Sequence, residues 1–147
     1  MIDRRLSFAQ STTAGRSHAA HTRFTPTGQA RRLPQAILEG IYRAMRAVFD
    51  VPDEDRFMTI TEHDEDNFSY SKNYLGIARS DDLVMIQLTV SNTRNVQKKK
   101  ALFRRIVENL TADPGLRPED ILINLVEVLP ENWSFGHGVA QYVADKG

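Results

Sequence analysis

No cysteine occurs among the 147 residues. That absence removes thiolate nucleophiles, disulfide staples and metal sites built on cysteine, and it leaves the redox compartment unreadable. No apolar run approaches the roughly 20 residues that a membrane-crossing helix needs; the longest, at 83–90 and 121–129, are of strand length. Glycine-rich phosphate loops and Ser-His-Asp arrangements are missing as well. The four histidines, at 18, 21, 63 and 137, make no ligand grouping beyond the first pair, so no metal site is expected. A net charge is lacking too, because 19 basic side chains balance 19 acidic ones.

The balance hides an asymmetry. Residues 1–34 carry Arg4, Arg5, Arg16, Arg23, Arg31 and Arg32 against the single acid Asp3, so the remainder is correspondingly acidic. An arginine- and serine-rich, acid-poor start has the composition of a transit peptide, and a basic arm can touch nucleic acid. It lacks a clear amphipathic period and the interleaved aromatics of single-strand binders, so an irregular arm over 1–33 is the expectation, with no nucleic-acid partner. Elsewhere the 41% apolar and 26% charged content argue for one folded domain, here 34–147, rather than disorder.

From Pro34 onward, Ile37, Leu38, Ile41, Tyr42, Met45, Val48 and Phe49 recur at helical spacing, with Pro34 suited to the first turn and Pro52 halting the helix near Asp50. Alternation over 57–63 predicts a strand whose polar side can meet a pocket. The run at 83–90 (LVMIQLTV) predicts a strand covered on both faces. A second helix is expected over about 96–111, capped by Asn95, burying Val96, Phe103, Ile106, Val107 and Leu110, and ended by Pro114 and Gly115. Residues 121–128 (ILINLVEV) predict another strand, and 130–142 a loop-like tail around Trp133 and Phe135.

These elements repeat. Each helix is followed by a proline–acid turn and a strand, Pro52-Asp53-Glu54-Asp55 echoing Pro118-Glu119-Asp120. The second unit reads strand–helix–strand, which implies a parallel pair with a crossover helix, and the first should match. Counting back by the helix offset puts its first strand near 21–28 (HTRFTPTG), a degenerate strand interrupted by Pro26. The expected class is therefore α+β, a tandem β-α-β repeat whose four-stranded sheet carries both helices on one face. The other, apolar face would be covered by association of sheet faces between copies.

The repeat, with VPDEDRF at 51–57, ITEHD at 60–64, QLTVSNTR at 87–94 and NLVEVLPENWSFGHG at 124–138, resembles the tautomerase superfamily, and within it the group of malonate semialdehyde decarboxylase. The resemblance spans roughly 34–142 and implies a cofactor-independent, cytoplasmic homotrimer with active sites between subunits. It implies tautomerisation or decarboxylation of small 2-oxo or 3-oxo acids, with no membrane partner. By the same resemblance Asp55 is the acid that assists catalysis or orients water, and Arg94 and Asn92 occupy the two carboxylate-holding positions. Trp133 and Phe135 stand as the apolar wall. The family's base is an amino-terminal proline, whose free secondary amine needs a tuned pKa. This chain opens Met1-Ile2-Asp3, ahead of a first strand placed by the resemblance near Ala19 or Ala20, and Pro26 and Pro34 are internal amides without basicity. Weak activity resting on Asp55 and Arg94 is therefore expected. A non-catalytic trimer that binds a small carboxylate, or serves only as an assembly, is the alternative, and a misassigned start or a shifted reading frame over residues 1–33 would also explain the composition change at the arm.

Overall fold

Ile37, Ile41 and Ala44, one helical turn apart, form a fully buried stripe, and Leu102, Ile106 and Leu110 form another. Such stripes are stable only when packed together or on a sheet. In the computed structural model, which describes the backbone of residues 5–8 and 29–143 and the side chains of 33–143, both occur. The elements are β1 (Arg5–Phe8), α1 (Gln29–Phe49), β2 (Thr61–His63), β3 (Val84–Ser91), α2 (Val96–Ala112) and β4 (Ile121–Val128). Helices α1 and α2 pack on each other and share a core with Val84, Ile86 and Val90 of β3. The architecture is α+β, with β3, α2 and β4 as a β-α-β unit. Strands β3 and β4 run parallel in continuous register from Val84↔Ile121 to Ser91↔Val128.

The sheet order is β2-β1-β3-β4. The segment 21–28, to which repeat counting assigns a strand, lies outside the described residues; the strand beside β3 is Arg5–Phe8, parallel to it through Leu6↔Val84 and Phe8↔Ile86. Strand β1 meets β2 antiparallel, through Arg5↔His63 and Ser7↔Thr61, rather than as the expected parallel pair. Strand β2 is also shorter than the alternation over 57–63 suggested. A strand needs a ladder partner, and β1 is only four residues long.

Helix α1 begins at Gln29, so Pro34 sits inside it rather than in its first turn. It ends as expected before Pro52, with Asp50 in the left-handed conformation that closes helices (φ 55°). Asn95 caps α2, its side chain accepting from the Lys98 amide at 2.9 Å. Val96 is 59% exposed instead of buried, and Leu102 takes the core position. The sheet face away from the helices is mixed rather than apolar: Met85, Gln87 and Thr89 alternate with the buried residues of β3, and all three are half-buried.

The two proline–acid turns diverge. Asp120 is buried, and its carboxylate accepts from the Ser80 amide and the Ser80 hydroxyl, both at 2.7 Å, with Arg117 at 3.4 Å. It fastens the segment that enters β3. Asp55, its counterpart in the first repeat, is half-buried and has no ion pair or side-chain hydrogen bond among the described residues.

Candidate active site

The turn that carries Asp55 is held by α1. The Tyr42 hydroxyl donates to the Asp53 carbonyl, Arg46 pairs with the Asp53 carboxylate, and the Asp55 amide donates to the Pro52 carbonyl at 3.2 Å. Next along, the Arg56 guanidinium reaches Glu39 at 3.0 Å and lies 4.8 Å from the Tyr42 ring centroid. These contacts fix the backbone on either side of Asp55 while leaving its carboxylate unengaged among the described residues, on the lining of a cavity of about 170 Å³.

Arg94 enters the same cavity from the turn between β3 and α2. It is half-buried, not a solvated helix-start arginine. Nη2 donates to the Phe49 carbonyl at 2.7 Å, Nη1 donates to the Thr93 hydroxyl at 2.6 Å, and the guanidinium carbon lies 5.2 Å from the Phe49 ring centroid. One of the carbonyls left over at the end of α1 is thereby satisfied by a cation. Lys98, one turn into α2, is engaged with Asp50 at 2.8 Å. Its hydrogen bond, and then its charge, hold the Asp50 carboxyl below the ordinary carboxylate range, with a smaller push from Arg94.

The third side is aromatic. In extended chain, residues two apart share a face, so the Trp-Ser-Phe sequence at 133–135 sends both rings one way and leaves Ser134 exposed. Trp133 and Phe135 stack with centroids 5.3 Å apart and planes 8° from parallel. The indole N–H donates to the Ser91 hydroxyl at the end of β3, at 3.1 Å, which fixes the stack to the sheet. Phe57 stands 6.0 Å from Phe135, and Tyr142 meets it edge-on at 5.1 Å.

Four of the five residues expected at the site, Asp55, Arg94, Trp133 and Phe135, therefore line one cavity. Asn92 does not: it is exposed on the turn after β3, where its backbone N–H donates to the Val128 carbonyl at 3.0 Å. The chain order did not reveal Ser91 or Tyr142. Ser91 acts through Trp133, and Tyr142 arrives only because the tail folds back. Among the described residues no cluster of three or more histidines or carboxylates could hold a metal ion, and no helix is long and apolar enough to cross a membrane.

Comparison with known proteins agrees with this geometry. Residues 55–136 match the family model described as tautomerase enzyme. A probable tautomerase of Bacillus subtilis, YusQ, is 33% identical over 117 residues, covering 80% of this chain and 92% of that protein. The chain belongs to the tautomerase superfamily. A second probable tautomerase of B. subtilis, YrdN, is 32% identical over 110 residues, covering 75% of this chain and 84% of the relative. Among solved structures, a malonate semialdehyde decarboxylase inhibited by 3-bromopropiolate is 30% identical, with a TM-score of 0.69 and coverage of 95% of this chain and 92% of that one. Another malonate semialdehyde decarboxylase has a TM-score of 0.72 at 24% identity, covering 95% and 94% of the two chains. Within the superfamily this chain falls in the decarboxylase-like group.

Proposed function

We propose that this chain converts small 2-oxo or 3-oxo acids by keto–enol tautomerisation or decarboxylation, with Asp55 and Arg94 as its catalytic residues. The carrying observation is the convergence of an unengaged carboxylate, a half-buried guanidinium and a stacked aromatic wall on one small cavity, from segments up to 80 positions apart. Arg94 takes the substrate carboxylate, a task suited to a planar two-pronged donor. Trp133 and Phe135 keep the far side poor in water.

In tautomerisation, Asp55 accepts the enol hydroxyl proton as the C–C double bond shifts, and the same carboxyl group returns a proton to the adjacent carbon. In decarboxylation, the electrons of the breaking C–C bond pass into the 3-oxo carbonyl, giving carbon dioxide and an enolate that is then protonated. The aromatic wall beside Arg94 favours this step because the negative charge leaves the compact carboxylate and spreads over the enolate, which a poorly hydrated surface accommodates more readily. In this reading proton transfer rests on Asp55. The reading includes a homotrimer built on a tandem repeat, with a four-stranded sheet bearing both helices on one face. Symmetric trimers are known for a fused 4-OT chain of the same fold, 14% identical with a TM-score of 0.60.

The test is enol–keto exchange of an aryl 2-oxo acid and decarboxylation of a 3-oxo acid by the wild type, Asp55→Asn and Arg94→Ala. A loss of about tenfold or more is expected in each variant, within the range for removing an acid–base group or a charged binding partner. Unchanged rates in both variants would discard the assignment. Binding that depends on Arg94 without turnover would instead favour a non-catalytic carboxylate-binding protein. Light scattering tests the trimer, and a monodisperse monomer at micromolar concentration would refute it.

A further inference from the structure

The tail beyond Phe135 does not leave the cavity; it turns back on itself. Gly136, His137 and Gly138 all have positive φ, at 148°, 57° and 67°. Such a run is accessible to glycine, but for histidine it costs about 1 kcal/mol or more, so surrounding contacts must hold it. The side chain of Gln141 makes two contacts across the loop, beside the Val139 amide that donates to the Gly136 carbonyl at 3.4 Å. Its Oε1 accepts from the Phe135 amide at 2.9 Å, and its Nε2 donates to the Gly136 carbonyl, also at 2.9 Å. The next residue is Tyr142, whose ring rests edge-on against Phe135 in the cavity wall.

We propose that Gln141 is a positioning residue that sets the substrate preference of this cavity by clamping the tail, so that Phe135 and Tyr142 form one wall for the apolar part of a carboxylic acid. This inference rests on the functional reading above. The residue type is constrained by chemistry. The clamp needs an acceptor and a donor on the same side chain, which a primary amide supplies and an ionised carboxylate cannot. Gln141→Glu keeps the length but sets a negative charge against the Gly136 carbonyl, whereas Gln141→Ala removes the clamp outright. Gln141 touches no substrate in this arrangement. Its effect passes through two aromatic rings, so it should appear in binding of acids long enough to reach them and be absent for short ones.

The protein carries its own reporter, since Trp133 is the only tryptophan and stacks on Phe135. Wild type, Gln141→Ala and Gln141→Glu are titrated with 3-phenylpropionate and with propionate while Trp133 fluorescence is followed. Turnover of an aryl 2-oxo acid and of a three-carbon 2-oxo acid is measured alongside. Both variants should bind 3-phenylpropionate about five- to tenfold more weakly, as expected for loss of one or two hydrogen bonds that order the wall, with propionate affinity unchanged. KM for the aryl substrate should rise by the same factor and kcat should hold within about twofold. Gln141→Glu should recover toward wild-type affinity, relative to wild type at the same pH, as the introduced carboxyl protonates near its ordinary value of about 4.3 and regains a donor. Equal affinities for 3-phenylpropionate in all three proteins, or equal losses for both acids, would overturn the proposal while leaving the functional reading standing. A wild type that binds neither acid and turns over neither substrate would overturn both.

Discussion

Replacing Arg94 by alanine separates two duties that the structure assigns to one guanidinium. The first is structural. Arg94 donates at 2.7 Å to the carbonyl of Phe49, the last residue of α1, and its cation sits 5.2 Å from the Phe49 ring centroid, a ring that is itself buried. A hydrogen bond from a charged group is worth about 1.5 kcal/mol and a half-desolvated cation–π contact about 0.5–1 kcal/mol. Arg94→Ala should therefore lose about 2 kcal/mol, or about 4–8 °C in Tm for a chain of this size. The second duty is toward the ligand. A charge-assisted contact to a carboxylate carries about 1.5–3 kcal/mol, so affinity for 3-phenylpropionate should fall by about 10- to 150-fold. Arg94→Lys divides the two, because an ammonium keeps the charge but cannot serve the Phe49 carbonyl and a carboxylate in one plane. Calorimetric unfolding and Trp133 fluorescence titration measure the pair of effects. An alanine variant whose Tm moves by less than about 1 °C would show that Arg94 does not fasten α1 to the β3–α2 turn. Unchanged affinity in the same variant would remove it from the site.

Other expectations follow from single contacts. Ser80→Ala strips the hydroxyl donor from buried Asp120, leaving that oxygen with only Arg117 at 3.4 Å, and should cost about 1–3 kcal/mol in chemical denaturation; no loss would mean that water replaces Ser80. Gly40 lies where α1 approaches α2 closely, and an added Cβ would sit 2.7 Å from Cδ2 of the buried Leu110. Gly40→Ala should thus be net destabilising by about 1 kcal/mol, overpacking outweighing a helix-propensity gain of similar size, and a rise in Tm would contradict the tight crossing. The Asp50 carboxyl is held below its ordinary value of 3.8 by Lys98. The stabilisation from this pair is present above that value and lost as pH falls through the lowered one. Lys98→Ala should raise the Asp50 pKa in an NMR titration, and an unmoved titration would break the assignment.

Much of this protein is local in origin, and that part was legible in the chain. The 3.6-residue stripes of α1 and α2, the stops at Pro52 and Pro114, the Asn95 cap and the parallel strands 84–91 and 121–128 depend on neighbours within a few positions. The stacking of Trp133 on Phe135 is likewise implicit in two aromatic residues two positions apart in extended chain. The motifs around Asp55 and Arg94 marked both residues as site candidates before any geometry was known.

What the chain order left open depends on contacts between distant segments. Whether 57–60 pairs as strand depends on how long a partner β1 offers, and where β1 lies depends on a connection whose length no periodicity encodes. Asp55 and Asp120 stand in equivalent proline–acid turns and are indistinguishable as sequence; one becomes a buried clamp because Ser80 arrives beside it, and the other lines a cavity because none of the described side chains pairs with it. Gln141 and Tyr142 belong to the site only through a backbone reversal at 136–138, and Arg94 is fastened rather than solvated because the end of α1 comes within 2.7 Å. Hydrophobic period and capping chemistry are written in neighbouring residues, whereas the pairing of polar groups is set by proximity in space, which only the assembled fold supplies.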